Sequence, residues 1–221
     1  MLDSSKDGDN TFIVLPYMPN GSLKAYLRNN ADTITTTQRA QWALQTAQGI
    51  AMLHANSVIH ADLKPGNILV DDDLGVRICD FADCSLLGKP PYILESGAFY
   101  LPGNFRDVGI GCNVKSDLFA LGSCIFQIVT GNEPNQGLED KDIEDKFEEQ
   151  VFPEMGNMLF AEVIRKCWFC EFESAEEVLR ALSVEAQYIL RDAEFPSSVL
   201  TGSVQVSKSN EGATRVEGTS N

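Results

Sequence analysis

Apolar and polar residues alternate in blocks whose period changes along the chain, and each change marks an element. Thr11-Phe12-Ile13-Val14-Leu15 is an unbroken run of strand length, stopped by Pro16 and by the turn signal Pro19-Asn20-Gly21. Ser22 is placed to cap a short helix over 23–28. Thr35-Thr36-Thr37-Gln38 has capping-box spacing, and Ala40, Ala43, Leu44, Ala47, Ile50, Ala51 and His54 follow at intervals of three and four. That spacing predicts a long amphipathic helix ending near Asn56. Val58-Ile59 leads into a polar loop, and Ile68-Leu69-Val70 and Val76-Arg77-Ile78-Cys79 read as short strands joined by the turn Asp71-Asp72-Asp73-Leu74-Gly75.

Over 118–129 nearly every residue is apolar, and Gly131 supplies the stop. A helix that is apolar on all sides belongs in the middle of a domain. Further helices are predicted over 143–150, 159–169 and 175–190, the last opened by a second capping box, Ser174-x-x-Glu177. The end of the chain is rich in Ser, Gly, Asn and Thr, with no aromatic residue and no apolar period. The expectation is one α+β domain, mainly α, over 11–194, with a short β hairpin and a buried central helix. A disordered leader at 1–10 and a disordered tail at 195–221 would flank it.

A formal charge of −15 argues against nucleic acid as a partner, because binding that polyanion requires a basic stripe. Much of the excess lies in the run from Glu139 to Glu149, a solvated helix face or an acidic docking surface. The six cysteines form no compact disulfide framework, so reduced thiols are expected. Cys167-x-x-Cys170 has no second pair to complete a zinc site, which favours core packing. The polar, acidic N-terminus excludes a signal peptide, and no apolar run is long enough to span a bilayer. A protein of the cytoplasm or nucleus, in a reducing compartment and away from membranes, is the expectation.

The chemistry concentrates in His60-Ala61-Asp62-Leu63-Lys64-Pro65-Gly66-Asn67, followed after the hairpin by Asp80-Phe81-Ala82. These strings resemble H-R-D-L-x-x-x-N and D-F-G of protein kinases. Phosphoryl transfer to a hydroxyl needs a carboxylate to orient the hydroxyl, cations to offset charge, and oxygen ligands for magnesium. The resemblance implies that Asp62 orients the acceptor, Lys64 reaches the transferring phosphate, and Asn67 and Asp80 hold Mg²⁺. His60 and Phe81 would pack, and Asp117 would tether the loop backbone. The stretch from Phe12 to Leu23 resembles the kinase hinge, with Leu15 as gatekeeper and adenine bonded to the backbone of Pro16 and Met18. Leu69 and Asp80 complete the implied ATP contacts. Ser116-Asp117-Leu118-Phe119-Ala120-Leu121-Gly122 resembles S-D-V-W-S-F-G, and Lys166-Cys167-Trp168 resembles the K-C-W of a late kinase helix. The implied fold is the hinge and C-terminal lobe of a serine/threonine protein kinase, over about 11–182, using ATP and Mg²⁺ to modify a protein substrate.

Departures from the pattern are visible. Ala61 replaces an arginine, and Ala82 a glycine. Gly97-Ala98-Phe99-Tyr100-Leu101-Pro102-Gly103 lacks the glutamate that closes G-T-x-x-Y-x-A-P-E, and Phe172 takes the place of that glutamate's arginine partner. No G-x-G-x-x-G occurs, and no phosphate-pairing lysine precedes the hinge. Loss of one preorganised donor costs roughly a hundred- to a thousandfold in rate, so these 221 residues alone are expected to be inactive. A pseudokinase or interaction module, and a small-molecule phosphotransferase of kinase-like fold, remain open. With only a polar leader before it, the Phe12–Leu15 strand is expected to expose an unpaired apolar edge that calls for a covering partner.

Overall fold

The computed structural model describes residues 3–7, 10–82, 84–86, 97–103 and 112–190. Among these, six α-helices dominate over three two-stranded antiparallel pairs, an α+β and mainly α architecture. The predicted tail from 195 onward lies outside the described residues.

Helix starts follow side-chain caps. The Ser22 hydroxyl accepts the Ala25 N–H at 3.3 Å and opens α1 (Leu23–Asn29). Thr35 accepts the Gln38 N–H at 3.1 Å and opens α2 (Thr36–Ala55). The box at Thr35 is not reciprocal, because the Gln38 amide instead donates to the Leu74 carbonyl at 3.2 Å. The Trp42 indole N–H donates to the same carbonyl at 2.7 Å, so one oxygen pins α2 to a distant turn.

The central helix α3 (Val114–Thr130) is buried continuously from Asp117 to Ile128 and stops at Gly131, whose φ of 84° is left-handed. Such a residue ends a helix at little cost only when it lacks a Cβ. The helix starts before its apolar run because Asn113 and Ser116 form a capping box, the Asn113 side chain accepting the Ser116 N–H and the Ser116 hydroxyl accepting the Asn113 N–H. Against α3 pack α2 and α5 (Ala161–Trp168), with α4 (Asp140–Glu148) meeting it through Phe147 on Phe119, while α6 (Ala175–Leu190) packs on α2 and α5. Phe119, Phe147, Phe152 and Trp168 form a connected aromatic group, and the buried Trp168 N–H is satisfied by Ser123 at 3.0 Å.

Helices α3 and α5 meet where Gly122 has no side chain. A Cβ there would lie 2.6 Å from Cys167 Cβ and 3.4 Å from the Ile164 carbonyl oxygen, so a backbone would have to move. Gly122→Ala is therefore expected to destabilise the fold by about 1–3 kcal/mol, despite alanine's better helix propensity. A thermal melt of the variant reads this directly, and an unchanged Tm would mean that α5 shifts freely. Cys167 is fully buried in that contact, its thiol pushed well up by burial. The six cysteines are all free, and no described cluster of His, Cys, Asp and Glu could hold a metal on its own. No described helix is long and apolar enough to cross a membrane.

The strand pairs are short. β4 (Ile68–Val70) and β5 (Val76–Ile78) form the expected hairpin, with Ile68 opposite Ile78 and Val70 opposite Val76. β3 (Val58–Ile59) pairs with β6 (Ser85–Leu86). The N-terminus corrects one expectation. Residues Asp3–Asp7 form β1, antiparallel to β2 (Asn10–Val14), with Asp3 opposite Val14 and Asp7 opposite Asn10. The predicted leader is thus a strand, and one edge of β2 is paired within the chain. Asp and Ser are weak strand formers, but here the ladder offered by β2 overrides their propensity.

Candidate active site

The loop between β3 and β4 is carried by Asp117, in the first turn of α3. Its side chain is 1% exposed and accepts three hydrogen bonds. One carboxylate oxygen, Oδ2, accepts the His60 N–H at 2.8 Å and the His54 Nε2–H at 2.9 Å. The other, Oδ1, accepts the Ala61 N–H at 3.0 Å. Ala61 has a φ of 69°, a left-handed conformation that costs a residue with a Cβ about 1–2 kcal/mol. The hydrogen bonds to a buried carboxylate offset that cost, which is why a non-glycine residue is held there.

His60 is fully buried and links two strands. Its Nδ1 accepts the Asp62 N–H at 3.3 Å, so the proton sits on Nε2, which donates to the Cys79 carbonyl at 3.1 Å. Phe81 stands 5.5 Å from the His60 ring, centroid to centroid. It remains 46% exposed, so the residue expected purely as packing keeps much of its ring in solvent.

The Asp62 side chain, 11% exposed, has both oxygens engaged. Lys64 Nζ lies 3.0 Å from Oδ1, and Asn67 Nδ2 donates to Oδ2 at 2.6 Å and to the Asp62 carbonyl at 2.9 Å. Asn67 sits in a 3₁₀ turn at Pro65–Asn67 whose proline fixes the first position. Its amide nitrogen is committed to Asp62, which leaves its oxygen as the available ligand atom. The Cys79 N–H donates to the Asn67 carbonyl at 2.9 Å, which ties the residue before Asp80 to the turn that carries Asn67. Asp80 is exposed and left-handed, with a φ of 62°.

The segment that follows β2 is tied to β4 through Gly21 and Ser22. Ser22 bridges to Leu69, and the Val70 N–H donates to the Gly21 carbonyl at 2.9 Å. Leu69 and Met18 are half-buried, Pro16 is exposed, and Leu15 is 66% exposed. The Met18 carbonyl is taken by the Gly21 N–H at 3.2 Å.

Several residues at this site gave no signal in the sequence. His54 reads there as one apolar-face position among seven, yet it donates to Asp117, leaving its Nδ1 buried without a described partner. A recess of about 450 Å³, partly open, adjoins Asp62 and is lined by Phe99, Tyr100, Leu101 and Cys112. Burial, and then the charge of Asp117, push the Cys112 thiol up, which disfavours its thiolate.

Lys115 is the other surprise. Its ammonium donates to the carbonyls of Cys170 (3.1 Å) and Phe172 (2.6 Å) and to Glu173 Oε1 (2.7 Å). A cation in the first turn of a helix opposes the macrodipole, so three oxygen partners must outweigh that. The α5–α6 connection is held here by a lysine from the central helix. Lys115→Met is expected to cost about 1–3 kcal/mol by stranding part-buried carbonyls. Urea unfolding checks this, and a midpoint unchanged from the parent would show that water replaces the ammonium.

The profile of the family described as protein kinase domain matches residues 1–191. Among curated proteins, the chain is 30% identical over 148 residues to serine/threonine-protein kinase PDK1 of Cryptococcus neoformans, covering 63% of this chain and 12% of that protein. It is 24% identical over 211 residues to a probable serine/threonine-protein kinase of Clostridium acetobutylicum, covering 88% of this chain and 32% of that one. With receptor-like protein kinase HSL1 of Arabidopsis thaliana it shares 34% over 146 residues, covering 61% and 15%. The chain spans about a third or less of the length of these relatives. A match over residues 1–191, with the loop geometry above and serine/threonine kinases among the relatives, places this chain in the protein kinase family.

Proposed function

We propose that this chain forms the hinge and C-terminal lobe of an ATP-dependent serine/threonine protein kinase. The observation that carries the reading is Asp62, oriented by Lys64 at 3.0 Å and Asn67 at 2.6 Å on a loop held by the buried Asp117. A carboxylate fixed in this way can accept a hydrogen bond from an incoming hydroxyl and take its proton as the bond to phosphorus forms. Lys64, poised on the Asp62 oxygen, is within reach of negative charge growing on the transferred group.

The donor set fits magnesium. Asn67 retains a free amide oxygen, Asp80 presents a carboxylate with no described hydrogen bond, and among the described residues no group of three His, Cys, Asp or Glu side chains could hold the ion by itself. Mg²⁺ bound with ATP takes one or two protein ligands and fills its shell with phosphate and water. When bound, the ion offsets charge on the phosphates. Leu15, Pro16, Met18 and Leu69 supply the surface against which adenine would lie.

For a polypeptide of these 221 residues alone, only trace turnover is expected, since no glycine-rich phosphate loop is present in them. The six free thiols support a reducing compartment, cytoplasmic or nuclear. Calorimetric titration with Mg-ATP tests the nucleotide site. Magnesium-dependent binding that is lost in Asp80→Asn supports the reading, whereas no binding by a folded chain favours an interaction module. Transfer of labelled phosphate to small alcohols in preference to a generic protein substrate would instead indicate a small-molecule phosphotransferase.

A further inference from the structure

Among the described residues, helix α6 leaves one face open. Its buried residues Ala175, Val178, Leu182 and Ala186 recur at intervals of three and four, and the helix packs on α2 and α5. Between Leu179 and Leu190 the exposed residues are Arg180, Ser183, Val184, Gln187 and Tyr188. Arg180, Val184, Gln187 and Tyr188 lie at i, i+4, i+7 and i+8, so they form one stripe opposite the buried face. Two large apolar groups stand in it a turn apart, Val184 at 62% exposed and Tyr188 at 71%. No described hydrogen bond, ion pair or ring contact engages Arg180 or Tyr188.

The groups along the stripe are placed symmetrically. Arg180 lies four residues before Val184 and Tyr188 four residues after it, about 6 Å of helix on either side. A second copy laid antiparallel across Val184, on a two-fold axis, sets Arg180 of each copy against the partner's Tyr188. A guanidinium over a phenol ring is an attractive pair, and the two Val184 side chains meet at the axis. Parallel copies would instead set arginine against arginine. A formal charge of −15 makes two copies repel at long range, but the stripe carries none of that excess. Its charged group is the guanidinium of Arg180. Glu185 is half-buried and engaged with the Phe160 backbone, and Glu177, one turn earlier, accepts the Glu173 N–H at 2.8 Å.

We infer that the Arg180–Tyr188 stripe of α6 is a homodimer contact, covered by the same stripe of a second copy in antiparallel order. Charge complementarity selects the occupant: a foreign helix would have to bring both a cation and an aromatic ring at this spacing, and a copy has both. A contact of one helix face is smaller than the roughly 1,200 Å² of total buried area at which stable complexes begin. The dimer is therefore weak and depends on protein concentration. The stripe shares no residue with the phosphoryl-transfer loop, so this inference stands or falls apart from the kinase reading.

Sedimentation velocity of the full 221-residue chain is the test. Protein would run from about 1 μM to about 1 mM, at about 0.15 M salt, where charges are screened beyond about 8 Å. A monomer–dimer equilibrium is expected within that range. Tyr188→Arg sets arginine against arginine across the axis and should weaken dimerisation about tenfold or more. Exchanging the pair, Arg180→Tyr together with Tyr188→Arg, restores the opposition and should return the dimer to within about threefold of the parent. Both positions are exposed, so thermal melts of the variants should match that of the parent. A parent that stays monomeric throughout overturns the proposal. So does a dimer that Tyr188→Arg leaves unchanged, since its contact lies on another face. A dimer that the exchange fails to restore overturns it as well, because the two stripes are then not antiparallel about Val184.

Discussion

Replacement of Asp117 by alanine is expected to lower stability by about 3–5 kcal/mol. Three donors would be left without their acceptor: the N–H groups of His60 and Ala61 and the Nε2–H of His54. Each buried donor so stranded costs about 1–3 kcal/mol, set against a total stability of only about 5–15 kcal/mol for a domain of ordinary size. The left-handed Ala61 would also lose the bond that offsets its conformation, and the loop should relax toward other geometries. Asp117→Asn should fall between parent and alanine variant, because an amide keeps one accepting oxygen and turns an NH₂ toward donors on its other side. Urea denaturation gives the size of the effect, and limited proteolysis shows whether cleavage appears near residue 61. A loss below about 1 kcal/mol in the alanine variant would mean that water reaches all three donors.

Asp62→Asn is expected to slow phosphoryl transfer supported by this loop by roughly a hundred- to ten-thousandfold. An amide cannot take the hydroxyl proton, and its NH₂ would face either Lys64 or Asn67, both donors to Asp62 in the parent. Mg-ATP affinity should change little, because Asp62 is not among the proposed metal ligands. Asp80→Asn should show the opposite split, losing affinity before rate. Single-turnover transfer and equilibrium nucleotide binding, measured on both variants, separate these roles. Equal losses of affinity in the two would refute the division of labour between base and metal ligand.

The elements that the sequence made legible are those with local causes. Ser22, Thr35 and Gly131 act through neighbours within a turn, so their caps and stops appear where the pattern puts them. The buried central helix was legible because an apolar circumference has one physical solution, the middle of the core. Its first turn was not, since Asn113 and Ser116 complete a box without the usual Glu or Gln. β1 escaped for the opposite reason: its residues are poor strand formers, and only the ladder to β2 makes them a strand. At the site, the resemblance picked out Asp62, Lys64, Asn67, Asp80 and Asp117. It could not find His54 or Lys115, whose partners lie 63 and 55 to 58 positions away in the chain. Nothing local distinguishes a histidine that packs from one that donates to a buried carboxylate.

The imidazole of His60 has a consequence of a different kind. Its two nitrogens hold, on one side, the backbone at Asp62 and, on the other, the carbonyl of Cys79, next to Asp80. A rigid five-membered ring thus sets the gauge between the segment that leads from β5 to Asp80 and the loop that carries Asp62. The two cannot drift apart independently. Thermal motion or mutation that displaces one carries the other along, so errors of alignment are shared and the separation between Asp62 and Asp80 is kept. Any substitution of that ring should blur both positions at once.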